Sequence, residues 1–165
     1  MSEIHVTGLS ELAKFLDELP TKLQNNVMRG SLRAGMKVIQ DEAKRTSAFV
    51  DRTGQLRAGL KIGTTSRGGT ITASLKAKGK HGYIARWIEY GTQPHVIKAK
   101  DVRLAFGGGY FQSVNHPGIK PSPFMRPALD GQASNAVIAT AEYMRERLAT
   151  KHGLDTADIL IEGDE

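Results

Sequence analysis

The chain's candidates for metal or proton chemistry are its histidines: His5, His81, His95, His116 and His152. None sits in an H-E-x-x-H pattern, and no pair has metal-ligand spacing on a predicted helix. His81, His95 and Glu89 could meet only through tertiary structure, so no metal site is assigned. The absence of Cys excludes disulfides, thiolate zinc sites and cysteine nucleophiles. Glu89 is the lone carboxylate between Asp51 and Asp101. A hydrolase built on two acids would therefore have to recruit a distant partner such as one of those two. No G-x-S-x-G elbow anchors a Ser/His/Asp triad. Gly107-Gly108-Gly109 lacks the Gly-Lys-Ser/Thr ending and opens no predicted helix, so it is not a phosphate cradle. The reading is a non-enzymatic chain with no catalytic residue, no metal and no cofactor.

Charge is the stronger signal. The net +6 of the 165 residues is segregated: residues 1–20 carry −3, residues 21–110 carry +12, and residues 111–165 carry −3. A basic middle between acidic ends suits nucleic-acid contact. It equally suits copies that dock head to tail, the basic middle of one meeting an acidic end of the next. A merely solvated basic surface is the third possibility. Lys76, Lys78, Lys80, Arg86, Lys98, Lys100 and Arg103 are the candidate contacts to DNA or to an acidic partner. Trp87, between Ile84 and Ile88, reads as a core anchor rather than a base-stacking platform. No apolar run approaches the ~20 residues of a membrane-spanning helix, and the N-terminal residues lack the apolar segment of a secretory signal.

The elements that must position these residues follow from periodicity. Ser10 reads as an N-cap, with Leu12, Phe15, Leu16 and Leu19 on one helical face. Pro20 opens a second helix running to about Ser47, with Leu32, Met36, Ile39 and Ala43 as its stripe. Gly30 and Gly35 each weaken that helix by about 1 kcal/mol relative to Ala. Close approach of another backbone, from the same chain or from another subunit, would offset the cost. Asp51–Gly54 is a turn. Two period-2 runs, Leu60–Thr65 and Ile71–Lys78, then form a hairpin around a Gly-rich turn. Tyr83–Tyr90 reads as a short helix ended by Gly91. Val102–Phe106 and Tyr110–Val114 read as a second hairpin with Gly107–Gly109 at its tip. A proline-rich segment leads to a last helix that starts at Pro127 and ends before Gly153. The expectation is one α+β domain over 1–153, an antiparallel sheet of two hairpins packed on a long N-terminal-half helix and a C-terminal helix. Residues 154–165 form an acidic tail, expected to be mobile.

Three segments stand out in order: Thr53-Gly54-Gln55-Leu56-Arg57; Trp87-Ile88-Glu89-Tyr90-Gly91-Thr92, followed by Gln93-Pro94-His95; and Pro123-Phe124-Met125-Arg126-Pro127-Ala128-Leu129-Asp130. Over roughly residues 5–150 the chain resembles the tail-completion proteins of long-tailed double-stranded DNA bacteriophages, also called neck or head–tail joining proteins. The resemblance implies a structural subunit of the virion, made in the bacterial cytoplasm. It further implies assembly as a cyclic ring, a hexamer by the family's usual symmetry, beside the tail-terminator and head-completion proteins. In that role Phe124 and Leu129 are expected to pin the last helix to the core, and Glu89 and Arg126 either pair as ions or face solvent. Gly30, Gly35 and Gly107–Gly109 are candidate subunit contacts. The competing reading is a basic DNA-binding accessory protein that uses the central hairpins. Neither reading needs a membrane.

Overall fold

Two long helices carry the fold. The computed structural model describes residues 8–80, 82–100, 103–153, 155–156, 159 and 161. After α1 (Leu9–Asp17), helix α2 (Thr21–Arg45) packs along α5 (Met125–His152). The two run antiparallel, for Gly30 lies against Tyr143 and Gly35 against Ala136 and Thr140. A Cβ on Gly30 would come within 2.5 Å of the Tyr143 ring, and one on Gly35 within 2.5 Å of the Ala136 carbonyl oxygen. The backbone approach that these glycines serve is therefore made by the same chain.

Between the long helices lie α3 (Gln55–Gly59), the hairpin β1 (Leu60–Arg67) and β2 (Thr70–Ala77), and α4 (Gly82–Tyr90). The hairpin turns on Gly68 and Gly69, both at positive φ, as a two-residue loop between twisted strands favours. Its register pairs Leu60 with Ala77 and Ile62 with Leu75, which puts the apolar side chains on one face. A second hairpin, a two-part arm, follows. Strand β3 (His95–Lys98) pairs with β6 (Ser113–His116), and β4 (Leu104–Phe106) pairs with β5 (Gly109–Phe111).

The architecture is α+β, with antiparallel strands, a long helix in the N-terminal half and a C-terminal helix. The hairpins form separate two-stranded ladders among the described residues. One core cluster joins α2, α3, β1, α4 and the start of α5 through Ile39, Ala43, Leu56, Leu60, Ala85, Phe124 and Ala128. A second joins α1, the first half of α2 and the end of α5 through Leu12, Val27, Ala141, Met144 and Leu148. Ile159 is buried in this second cluster, Thr156 is buried too, and the Arg145 guanidinium donates to the Ile159 carbonyl at 3.0 Å. These two residues belong to the folded body, although the sequence reading left 154–165 outside it.

Helix boundaries shift for local reasons. Helix α1 begins two residues early because Gly8, at φ 81°, makes the entering turn, so Ser10 lies inside the helix and donates to Glu11 instead of capping. Helix α5 begins two residues before Pro127. A proline in the first turn loses no intrahelical bond, because those amides have no partner there. Among the described residues no helix is long and apolar enough to cross a membrane.

Candidate functional site

The three sequence segments converge on one side of the body, and Glu89 is where two of them meet. On α4, Ala85 and Glu89 lie on the buried face. The Glu89 Oε2 accepts the backbone amides of Phe124 (2.8 Å) and Met125 (2.9 Å), and Oε1 accepts that of Arg126 (3.1 Å). These are the amides that the opening turn of α5 leaves unpaired, and Pro127 brings none. A carboxylate there also suits the positive end of the helix dipole. Burial pushes the Glu89 carboxyl up, but the three amides outweigh it and hold the group below the ordinary glutamate range; the Arg126 guanidinium contributes least. Of the two alternatives for Glu89, an ion pair with Arg126 or exposure to solvent, neither is found: its carboxylate binds backbone. Arg126 is engaged through its amide, and the two side chains form no salt bridge among the described residues.

The first segment locks the other end of α2. Asp51 Oδ2 accepts the amide of Arg57 at 2.8 Å, and that bond with those of neighbouring amides lowers the Asp51 pKa. Gly54, at φ 69°, opens α3 and lets Leu56 drop into the core. The Arg57 guanidinium then donates to the carbonyls of Lys44, Thr46 (2.8 Å) and Phe49 (3.3 Å), and lies 4.8 Å from the centre of the Phe49 ring. Phe49 in turn meets Phe124 edge to face at 4.8 Å. Ser122 completes the junction: its hydroxyl donates to the Ala48 carbonyl and its amide to that of Ile88. Arg57, Phe49, Asp51 and Ser122 were not singled out as site residues from sequence. The Asx-type spacing Asp51-x-x-Gly54 and the arginine closing the first segment were the available signals.

Gly91 leaves α4 at φ 71°, where a Cβ would meet the Ile119 carbonyl at 2.5 Å. Thr92 bridges to Ile119, which donates to its hydroxyl at 3.0 Å. Thr53 accepts the Gln55 amide at 3.4 Å. Phe124 is buried as expected, whereas Leu129 is 48% exposed, and Ala128 takes its place against the core. Trp87 is corrected as well. It is 45% exposed, packed edge to face on Tyr83 and beside the exposed Tyr90, because Ile84, Ala85 and Ile88 occupy the inward face of α4. Lys76, Lys78, Lys80, Arg86, Lys98, Lys100 and Arg103 are all exposed.

Beside α4 runs an apolar groove of about 680 Å³, lined by Met36, Leu75, Ala77, Met125 and Leu129, with Lys76, Arg86 and Arg126 also on its walls. Gly107 and Gly108, at positive φ, form the turn of the arm with Gly109 next, and a Cβ on either of the first two would meet nothing within 4 Å. His95 and His116 face each other at the base of the arm, ring centres 5.0 Å apart, each tied to nearby backbone through Nδ1. His81 lies outside the described residues. Among those described, no three metal-ligating side chains gather.

The polar groups of the three segments thus bind backbone, an arrangement that holds a shape. The comparisons agree with that emphasis. No curated protein and no solved structure matches the chain. Residues 10–91, about half of the chain, match the family described as "Bacteriophage HK97-gp10, putative tail-component". The matched stretch runs from α1 to the turn after α4 and takes in both Arg57 and Glu89; the chain belongs to this HK97-gp10-like family of bacteriophage tail components.

Proposed function

We propose that the chain is a non-enzymatic tail-completion subunit that closes into a cyclic, hexameric ring at the head-proximal end of the tail. It would be made in the host cytoplasm and would join the tail terminator below it to the head-completion proteins above. The observation that carries this reading is how the polar residues of the three segments are used. Glu89 is spent on three amides and Arg57 on three carbonyls, while Tyr110 and Phe111 of the arm and the aromatic face of α4 are exposed. A scaffold fixed this firmly, with unpaired apolar surface, is what an assembly part requires. Family membership supports the same class.

Disruption of the gene in a phage that encodes this chain tests the reading. Filled heads and finished tails should accumulate unjoined, and rescue from a plasmid should restore whole particles. Normal joined particles without the protein would contradict it.

The DNA-binding alternative draws on one observation, the exposure of all seven basic candidates. Duplex retention that falls steeply between low and physiological salt would favour it. No retention at low salt removes it.

A further inference from the structure

The arm leaves the body as a slender ladder. Beyond β3–β6, the Ala99 amide donates to the Gln112 carbonyl at 2.8 Å, and β4–β5 continue to the glycine turn. The distal stretch from Leu104 to Gln112 carries no charge, at the end of the chain's basic region. It exposes two aromatic side chains, Tyr110 (73%) and Phe111 (46%). Among the described residues, nothing lies close enough to touch a Cβ on Gly107 or Gly108. Such a tip has exposed aromatic surface to bury.

The body offers a matching surface. The outer face of α4 presents the Tyr83–Trp87 pair and Tyr90, and Arg86 and Tyr90 also line the apolar groove between β2 and the start of α5. Exposed Trp, Tyr and Arg together are the composition of an interface anchor. The Glu89 carboxylate on the same wall is taken up by three backbone amides, which leaves the cations Lys76, Arg86 and Arg126 to set what can enter. They repel the lysine-bearing parts of another copy, but guanidinium and ammonium groups are drawn to the faces of aromatic rings. The uncharged, aromatic tip meets both conditions.

We propose that the arm tip of one copy, with Tyr110 and Phe111 leading, seats on the α4 face and adjoining groove of the next copy. This rests on the ring reading above and names its contact. The donor and acceptor are different surfaces, so the contact is heterologous and propagates from copy to copy until it closes.

Trp87, the only tryptophan, is a built-in reporter on the acceptor. In the full-length wild-type chain its emission should shift to shorter wavelength as concentration drives assembly followed by sedimentation. A donor variant (Y110S with F111S) and an acceptor variant (W87A, with R86E as a second lesion) should each associate about tenfold or more weakly. Circular dichroism should be unchanged, since all these side chains are exposed. Mixing donor and W87A acceptor variants should give a dimer that goes no further, with the blue shift arising from the donor variant's intact Trp87. Rings of undiminished affinity in both variants would overturn the docking while leaving the ring reading intact. A wild type monomeric at every concentration would overturn both. An emission change that needs duplex DNA rather than a second copy would assign this face to nucleic acid and also overturn the proposal.

Discussion

The Glu89 carboxylate on α4 accepts the backbone amide of Phe124, the residue that caps α5, at 2.8 Å. One buried side chain thereby holds the short helix to the long one. Its other bonds, to Met125 and Arg126, fix the direction in which α5 sets out along α2. Replacing Glu89 with Ala leaves these amides without their acceptor, that of Phe124 in a buried position and those of Met125 and Arg126 at the wall of the groove. We expect a loss of roughly 2–4 kcal/mol, and about half of that for Glu89→Gln, which keeps one acceptor oxygen. Urea denaturation of the full chain measures both.

The same residue predicts how stability follows pH. The Glu89 carboxyl is held low in the folded chain, so its contribution is present above the unfolded pKa of about 4.3 and is lost as pH falls through the folded value. Wild type should therefore lose stability more steeply than Glu89→Gln between pH 5 and about pH 3. Asp51, also held low by amides, supplies part of the acid loss that remains in the variant. Parallel curves for the two proteins would contradict this.

Arg57 should resist conservative replacement. Its guanidinium reaches three carbonyls around the end of α2 while lying against Phe49. An ammonium cannot reproduce that planar fork. Arg57→Lys and Arg57→Ala should both destabilise, by about 1–3 kcal/mol, with lysine recovering less than half of the alanine loss. Thermal melts decide it.

The two glycines of α2 should separate. Alanine at Gly35 meets the Ala136 carbonyl, which is backbone of α5 and cannot swing away, so its helix-propensity gain of about 1 kcal/mol is outweighed by a clash costing roughly 1–3 kcal/mol. Alanine at Gly30 meets only the end of the Tyr143 ring, which can rotate aside. Melting temperatures should rank wild type and Gly30→Ala together, well above Gly35→Ala.

What could be read from sequence was the periodic part. Met36, Ile39 and Ala43 of the α2 stripe, the first hairpin with its inward face, α4 and the glycine that ends it follow from spacing, whereas Leu32 lies outside both core clusters and α2 buries Ser31 and Gln40 instead. Trp87 was misread because apolar neighbours at i−3 and i+1 suggested a shared inward face, whereas Ile84, Ala85 and Ile88 fill that face without it. For Glu89 and Arg126 an ion pair and solvent exposure were both open, since a sequence shows charges and hides unpaired helix amides. Ile159 could not be placed because the cluster that buries it draws on Leu12 and Val27, far off along the chain. Of the junction, the segments were visible, but the bonds from Glu89 and Arg57 to distant backbone were not.

We propose above that this chain is a ring-forming part of the particle at the place where tail meets head. A cryo-electron microscopy reconstruction of the neck of a phage that encodes it tests this most directly. A closed ring is expected at the head-proximal end of the tail, into which this fold, arm included, fits with cyclic symmetry. A neck fully built from other proteins, with this chain absent or located elsewhere, would contradict it.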